Sequence, residues 1–170
     1  EIARMAHDAA HDGRIVSVDP NVRASLVEND HAWRARLDGL IGVAAVVKLS
    51  DEDLESLEPG MAPAEFAART LANGASLVIV TRGGQGAQGW TPTGHGDVAA
   101  PKIVVADTIG AGDTLMAATL VFLAERGLDD RASIAGLDTS TLSDLLEFAT
   151  RAAAVTCTRA GCDPPRRHEM

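Results

Sequence analysis

Leu77-Val78-Ile79-Val80-Thr81-Arg82-Gly83-Gly84-Gln85-Gly86-Ala87-Gln88-Gly89-Trp90-Thr91 sets an apolar, β-branched run directly against a glycine-rich one. The first five residues have the composition of a buried strand. The residues after Arg82 cannot continue as a helix, because Gly83, Gly84, Gly86, Gly89, Gly94 and Gly96 fall within fourteen residues, with Pro92 among them. Gly84 to Gly89 satisfies GxGxxG literally, and it follows a strand as a dinucleotide fingerprint does. That fingerprint requires a helix N-terminus for the pyrophosphate, and Trp90-Thr91-Pro92-Thr93-Gly94 cannot open one. The stretch therefore argues against a Rossmann dehydrogenase. Ala87 to Thr91 and Asp97 to Ala100 read instead as an antiparallel hairpin at a sheet edge.

Upstream, β-rich and helical stretches alternate, the signature of a mostly parallel sheet covered by helices. Ile15 to Val18 predicts a short strand closed by Asp19-Pro20-Asn21, and Asn29 to Leu37 predicts a helix. Val43 to Leu49 predicts a second strand, with Ser50 as the following N-cap, Asp53 at the capping-box position and Pro59-Gly60 as the stop. Pro63 opens the next helix and Asn73-Gly74 closes it. Glu1 to Asp12 reads as the tail of a helix. Downstream, Leu115, Ala118, Thr119, Phe122 and Leu123 recur at helical spacing, and Met116, Leu120 and Val121 make the other face apolar as well. This predicts a deeply buried helix ended by Gly127. A last long helix runs from about Leu142 through Leu145, Leu146 and Ala149 to a stop at Gly161.

The 170 residues are 46% hydrophobic and 23% charged, which suits one globular domain with a real core rather than disorder. The longest apolar runs fall far short of the ~20 residues of a membrane span. Net charge is −9 with no basic cluster beyond Arg166-Arg167, so neither nucleic acid nor an anionic membrane is an expected partner. Any phosphate must be held by a local device. Cys157 and Cys162, the two cysteines, fit neither a CxxC pair nor a zinc site and suit a reducing, cytoplasmic compartment. His7 and His11 share a face of the first helix but lack a third metal ligand, and Trp33 and Trp90 read as packing residues.

That local device is visible in Asp107-Thr108-Ile109-Gly110-Ala111-Gly112-Asp113, directly before the buried helix. Gly110 and Gly112 allow steep turns and close approach of a ligand to the main chain. The free N–H groups of the first helical turn, at the positive end of the dipole, make an anion site. Asp113 begins the same helix, where a carboxylate beside an oxyanion pocket can accept the proton of an attacking alcohol as a phosphoryl group arrives.

This segment resembles the C-terminal signature of the ribokinase-like, pfkB-type carbohydrate kinases. Val18-Asp19-Pro20-Asn21-Val22-Arg23 is similar to that family's DPNxR segment, and Val47-Lys48-Leu49-Ser50-Asp51-Glu52-Asp53 to the KxSxEE stretch of its fructokinase-like branch. Val80 to Ala87 resembles its TxGxxG nucleotide segment, and Ala153 to Gly161 its adenine-side helix. The resemblance implies a three-layer, Rossmann-like α/β fold. It covers only the C-terminal, nucleotide-binding and catalytic portion of such a kinase, over residues 1–170, with the N-terminal lid and most sugar contacts absent.

By the same resemblance the chain transfers a phosphoryl group from ATP, with Mg²⁺, to a sugar hydroxyl. Asp113 would be the base, and the N–H groups of Gly110, Ala111 and Gly112 the anion hole. Thr81, Gly83 and Gly86 would line the nucleotide site, and Asn21 and Arg23 would lie near the phosphates or the sugar. Asp51 would help organise Mg²⁺ through water, although Lys48 stands where the family's NxxE motif has Asn and Asp51 is a methylene shorter than the motif's Glu. Asp107, with carbonyls near Thr156, Arg159 and Gly161, would hold K⁺ where a monovalent cation is used. The implied activity is fructokinase-like, with a 2-keto-3-deoxygluconate kinase or another sugar kinase of the family as the alternative; the resemblance leaves the sugar itself open, and a homodimer is one state open to the full-length protein. A reading of another class takes the 170-residue chain as a nucleotide-binding fragment without catalysis of its own.

Overall fold

The computed structural model describes residues 1–23 and 30–170, so Asn29, the first residue of one predicted helix, lies outside the described residues. Five strands form one open sheet in the order β1 (Ser17–Val18), β2 (Val46–Ser50), β3 (Leu77–Thr81), β4 (Ala87–Trp90) and β5 (His95–Val98). β1, β2 and β3 are parallel, while β4 and β5 continue the sheet antiparallel to their neighbours. The glycine-rich stretch forms a short 3₁₀ turn, Gly83–Gln85, and then enters β4 rather than a helix. The expected antiparallel edge hairpin is present, with its second strand shifted from Asp97–Ala100 to His95–Val98. The shift follows from the tight closure in which the Thr91 N–H donates to the Gly94 carbonyl at 2.9 Å, pairing Trp90 with His95.

Alternation along β3 sorts the core into two layers. Leu77 and Ile79 pack with α5 (Ala111–Glu125), α6 (Arg131–Ala135) and α7 (Thr139–Cys157). Val78 and Val80 face α2 (Asp30–Ile41), α3 (Asp51–Leu57) and α4 (Pro63–Ala72). α1 (Ile2–His11) lies beside α2 and buries no residue. The starts of α3 and α4 follow from local chemistry: Ser50 and Asp53 form a reciprocal capping box, and Pro63 occupies the first turn of α4.

β2 starts at Val46 rather than Val43, and β1 pairs only Ser17 and Val18, because the Val16 carbonyl accepts from both Ala45 and Val46 where the ladder begins. α7 begins three residues before Leu142, since the Asp138 carboxylate caps it by accepting from the Thr141 N–H. The helix gives out at Cys157, ahead of Gly161. α5 is buried along Leu115, Met116, Ala118, Phe122 and Leu123, but Val121 is 41% exposed. The expectation of burial all round is corrected there: the sheet and α7 cover one side of α5, and Val121 lies on the other. His7 and His11 are exposed, and Trp33 and Trp90 pack against the core of the α2–α4 layer.

Two devices fix the helices to the sheet. Gly89 and Gly96 are paired across β4 and β5, and an added Cβ on either would meet Leu146 Cδ1 at 3.1 and 3.0 Å. The hairpin's bare glycine surface thus seats the leucines of α7. At the amino ends of the parallel strands, Arg131 at the start of α6 donates to the carbonyls of Val43, Ala44 and Gly74, tying the entries to β2 and β3 together.

Candidate active site

Because β1, β2 and β3 are parallel, their carboxyl ends open on one edge of the sheet, where α/β proteins place their ligands. Asp19 follows β1, Asp51 follows β2 and Arg82 follows β3. α5 starts against the same edge. Gly110 caps it in the left-handed region at φ 79° with no side-chain hydrogen bond. The Ala111 N–H donates to the Thr108 carbonyl at 3.2 Å, and the Thr114 N–H closes the first turn onto Gly110 at 2.8 Å. The N–H groups of Gly112 and Asp113 find no acceptor among the described residues, so the positive end of α5 carries open donors. Asp113 is exposed on this turn, and its carboxylate has no hydrogen-bond partner among the described residues.

A cavity of about 230 Å³ adjoins the turn. Thr81, Gly83 and Gly86 line one side of it, and Ala111 and Gly112 another. Ile103, Val105, Ala153 and Cys157 supply apolar wall. The structure thus brings the predicted nucleotide residues together with the glycine turn. Gly86 also has a packing role, since a Cβ there would sit 2.0 Å from the Val98 carbonyl oxygen.

Asp107 braces the turn from behind. Its carboxylate accepts from the Ile109 N–H at 3.0 Å and the Gly161 N–H at 2.9 Å, while the Ala106 and Asp107 N–H groups donate to the Cys157 carbonyl. These backbone donors, Ile109 first and then Gly161, hold the Asp107 carboxyl below its ordinary range. Gly110 is the close-approach point: a Cβ on it would lie 2.2 Å from Cys162 Sγ. Thr114 and Thr156 hydroxyls, 2.9 Å apart and buried, join α5 to α7 just below.

Asn21 and Arg23 do not line the cavity. Asn21 takes a left-handed turn at φ 43°, and the exposed Arg23 donates to the Val22 carbonyl at 2.9 Å. Their segment is pinned by Asp53, which is buried and accepts from the Val22 N–H at 2.8 Å and the Ser50 N–H at 3.1 Å. Asp51 is exposed, with one carboxylate oxygen accepting from the Glu52 N–H at 3.0 Å.

Sequence reasoning missed an ion pair beneath α5. Lys48, 4% exposed in the middle of β2, donates to Asp19 Oδ2 at 2.7 Å. An added Cβ on Gly112 would lie 2.7 Å from the Lys48 Nζ and 4.0 Å from Asp19 Oδ2. The available signal was a lysine inside the apolar run Val46-Val47-Lys48-Leu49, since lysine is almost never fully buried unpaired.

The chain is 35% identical over 129 residues to a fructokinase of Rhizobium leguminosarum bv. trifolii, covering 76% of this chain and 40% of that protein. A fructokinase of Xylella fastidiosa with bound ATP superposes with a TM-score of 0.83 at 31% identity, covering 95% of this chain and 51% of that one. A fructokinase double mutant of Vibrio cholerae O395, bound to fructose, ADP and potassium, gives a TM-score of 0.76 at 27% identity, covering 94% and 49%. The chain spans about half the length of the relatives it matches. The description "pfkB family carbohydrate kinase" matches residues 1–169, nearly the whole of the sequence, and the chain belongs to that family.

Proposed function

We propose that the chain forms the nucleotide-binding and catalytic part of a fructokinase-like enzyme that transfers the γ-phosphoryl group of ATP to a sugar hydroxyl. The observation that carries this reading is the juxtaposition at α5: unpaired N–H groups of Gly112 and Asp113 beside a largely apolar cavity, with the Asp113 carboxylate free on the same turn. The apolar wall suits a purine, and the Gly110–Gly112 turn suits phosphate oxygens, with the Ala111 N–H shared with Thr108. Asp113 takes the hydroxyl proton as the oxygen attacks. 2-Keto-3-deoxygluconate stands as the alternative acceptor.

Among the described residues no three His, Cys, Asp or Glu side chains gather to hold a metal. Mg²⁺ is commonly held by one or two carboxylates together with substrate phosphates and water, and the free oxygen of Asp51 fits that pattern. When bound with ATP it supplies charge neutralisation on the phosphates. Each Asp107 oxygen accepts one backbone N–H, so a monovalent cation there shares an oxygen that already braces the turn.

The test is Asp113→Asn in the full-length protein, assayed by ADP release with ATP and fructose or 2-keto-3-deoxygluconate. The expected loss in kcat is at least ~10²-fold with unchanged thermal stability. Near-wild-type turnover by a folded variant would remove Asp113 from the role of base, and turnover on neither sugar would leave the acceptor to be sought among the family's other sugars.

A further inference from the structure

We propose that Lys48 is a phosphoryl-contacting residue of this site and that Asp19 is its positioning counter-ion. The inference rests on the kinase reading above. Lys48 occupies the layer of β2 that faces α5, two residues beyond the buried Val46, and its ammonium lies against Gly112 at the first turn of that helix.

Electrostatics makes this an odd place for a cation unless an anion arrives. The N-terminus of α5 is already positive, and the nearest compensating charge, Asp19, engages one of the three ammonium N–H groups. The other two have no acceptor among the described residues. Asp19 Oδ1 is also buried and has no partner among the described residues. A buried ion pair with unfilled donors and an unfilled acceptor is a poor source of stability, since desolvation of each ion costs more than an incomplete pair returns. The pair is complete only when further oxygens enter beside Gly112, and that is where the unpaired Gly112 and Asp113 N–H groups point for a phosphoryl group.

The chemistry is simple. The ammonium donates to a phosphoryl oxygen whose negative charge moves as the group passes between oxygens. Asp19 holds the ammonium at Gly112 while the site is free, so no side chain has to be reoriented during transfer. The small size of Gly112 is part of the device, because any Cβ there would displace the ammonium.

The experiment uses the full-length protein with Lys48→Met, Lys48→Arg and the double variant Lys48→Met, Asp19→Asn, which removes both charges and leaves no unpaired carboxylate. Steady-state kinetics is combined with calorimetric binding of ADP alone and of ADP with aluminium fluoride, a mimic of the phosphoryl group in transit. The expected result is a kcat loss of roughly 10- to 150-fold, the range for removing a hydrogen bond to a charged group. KM for ATP and the affinity for ADP alone stay within about twofold, the added affinity conferred by aluminium fluoride disappears, and Lys48→Arg restores part of both.

A kcat within about threefold of wild type in the folded double variant would overturn the proposal. So would a parallel loss of ADP and ADP–aluminium fluoride binding, which is what a purely structural role produces. If the wild-type protein phosphorylates no sugar, the kinase reading fails on its own terms, and the aluminium fluoride measurement still decides the role of Lys48.

Discussion

Gly86 and Gly83 both line the cavity, yet the structure gives them different physical duties, and alanine at each separates those duties. Gly86 has φ 100°, and its added Cβ would meet the Val98 carbonyl oxygen at 2.0 Å, the Ala100 nitrogen at 2.7 Å and the Ala99 carbonyl carbon at 2.8 Å. All three are backbone atoms, so no rotamer change relieves the overlap. Forcing an L-residue into that conformation costs ~1–3 kcal/mol, and overpacking against fixed atoms adds ~1–3 kcal/mol more, giving a midpoint near 4 kcal/mol. Gly83 has φ 50° and open space around its Cβ position, so only the conformational cost of ~1–2 kcal/mol applies.

At ~2–4 °C per kcal/mol for a chain of this size, Gly86→Ala lowers Tm by roughly 8–16 °C and Gly83→Ala by roughly 2–8 °C. Thermal unfolding monitored by circular dichroism reads both. Equal Tm losses would refute the reasoning, because they would mean that the backbone of residues 98–100 yields at no cost.

Three further outcomes rest on single side chains. Asp107→Asn lowers Tm by an amount that is constant above about pH 5 and shrinks below about pH 4: a carboxyl depressed by its backbone donors stabilises the fold above its unfolded pKa and loses that contribution as pH falls through the folded value. A Tm deficit unchanged down to pH 3 counts against the brace. Asp53→Ala costs ~1–3 kcal/mol and accelerates amide exchange at Val22, the residue whose N–H it holds at 2.8 Å; protection at Val22 equal to wild type would mean that segment is held by something else. Arg131→Ala removes donors to three carbonyls and costs at least ~1.5 kcal/mol, read in the same melts, with Arg131→Lys recovering less than half because an ammonium cannot span the fork.

Where sequence reading succeeded, chemistry was local. β3 runs over Leu77–Thr81 as its apolar run predicts, because Asn73-Gly74 stops the chain before it and Gly83-Gly84 after it. The Ser50 and Asp53 capping box formed because both partners lie within one turn. α6 was missed even though Asp130 and Ser133 form the same kind of box at its start, a signal hidden by the helix being only five residues long. The contacts that make the site were not legible. Lys48 and Asp19 are 29 residues apart, and both meet Gly112 only because α5 returns across the sheet edge. No period or motif encodes that encounter; it depends on packing of α5 against α7 and on the face of β2 to which Lys48 alternates.

Composition poses a problem for the proposed binding of a polyphosphate, since −9 repels such a ligand at long range. The candidate site answers it with donors that carry little net charge. Backbone N–H groups at α5 contribute a fixed positive potential that does not titrate, and Lys48 reaches the same point from within the sheet with its charge balanced by Asp19. Both act over a few ångströms, where screening by salt and by distant carboxylates is weak. The glycines therefore divide by function: Gly86, Gly89 and Gly96 let backbone and leucines pack closely, whereas Gly110 and Gly112 leave room at the helix end for Cys162 and the Lys48 ammonium. A surface can stay acidic and still hold phosphate when the attraction is built into main-chain geometry rather than into surface charge.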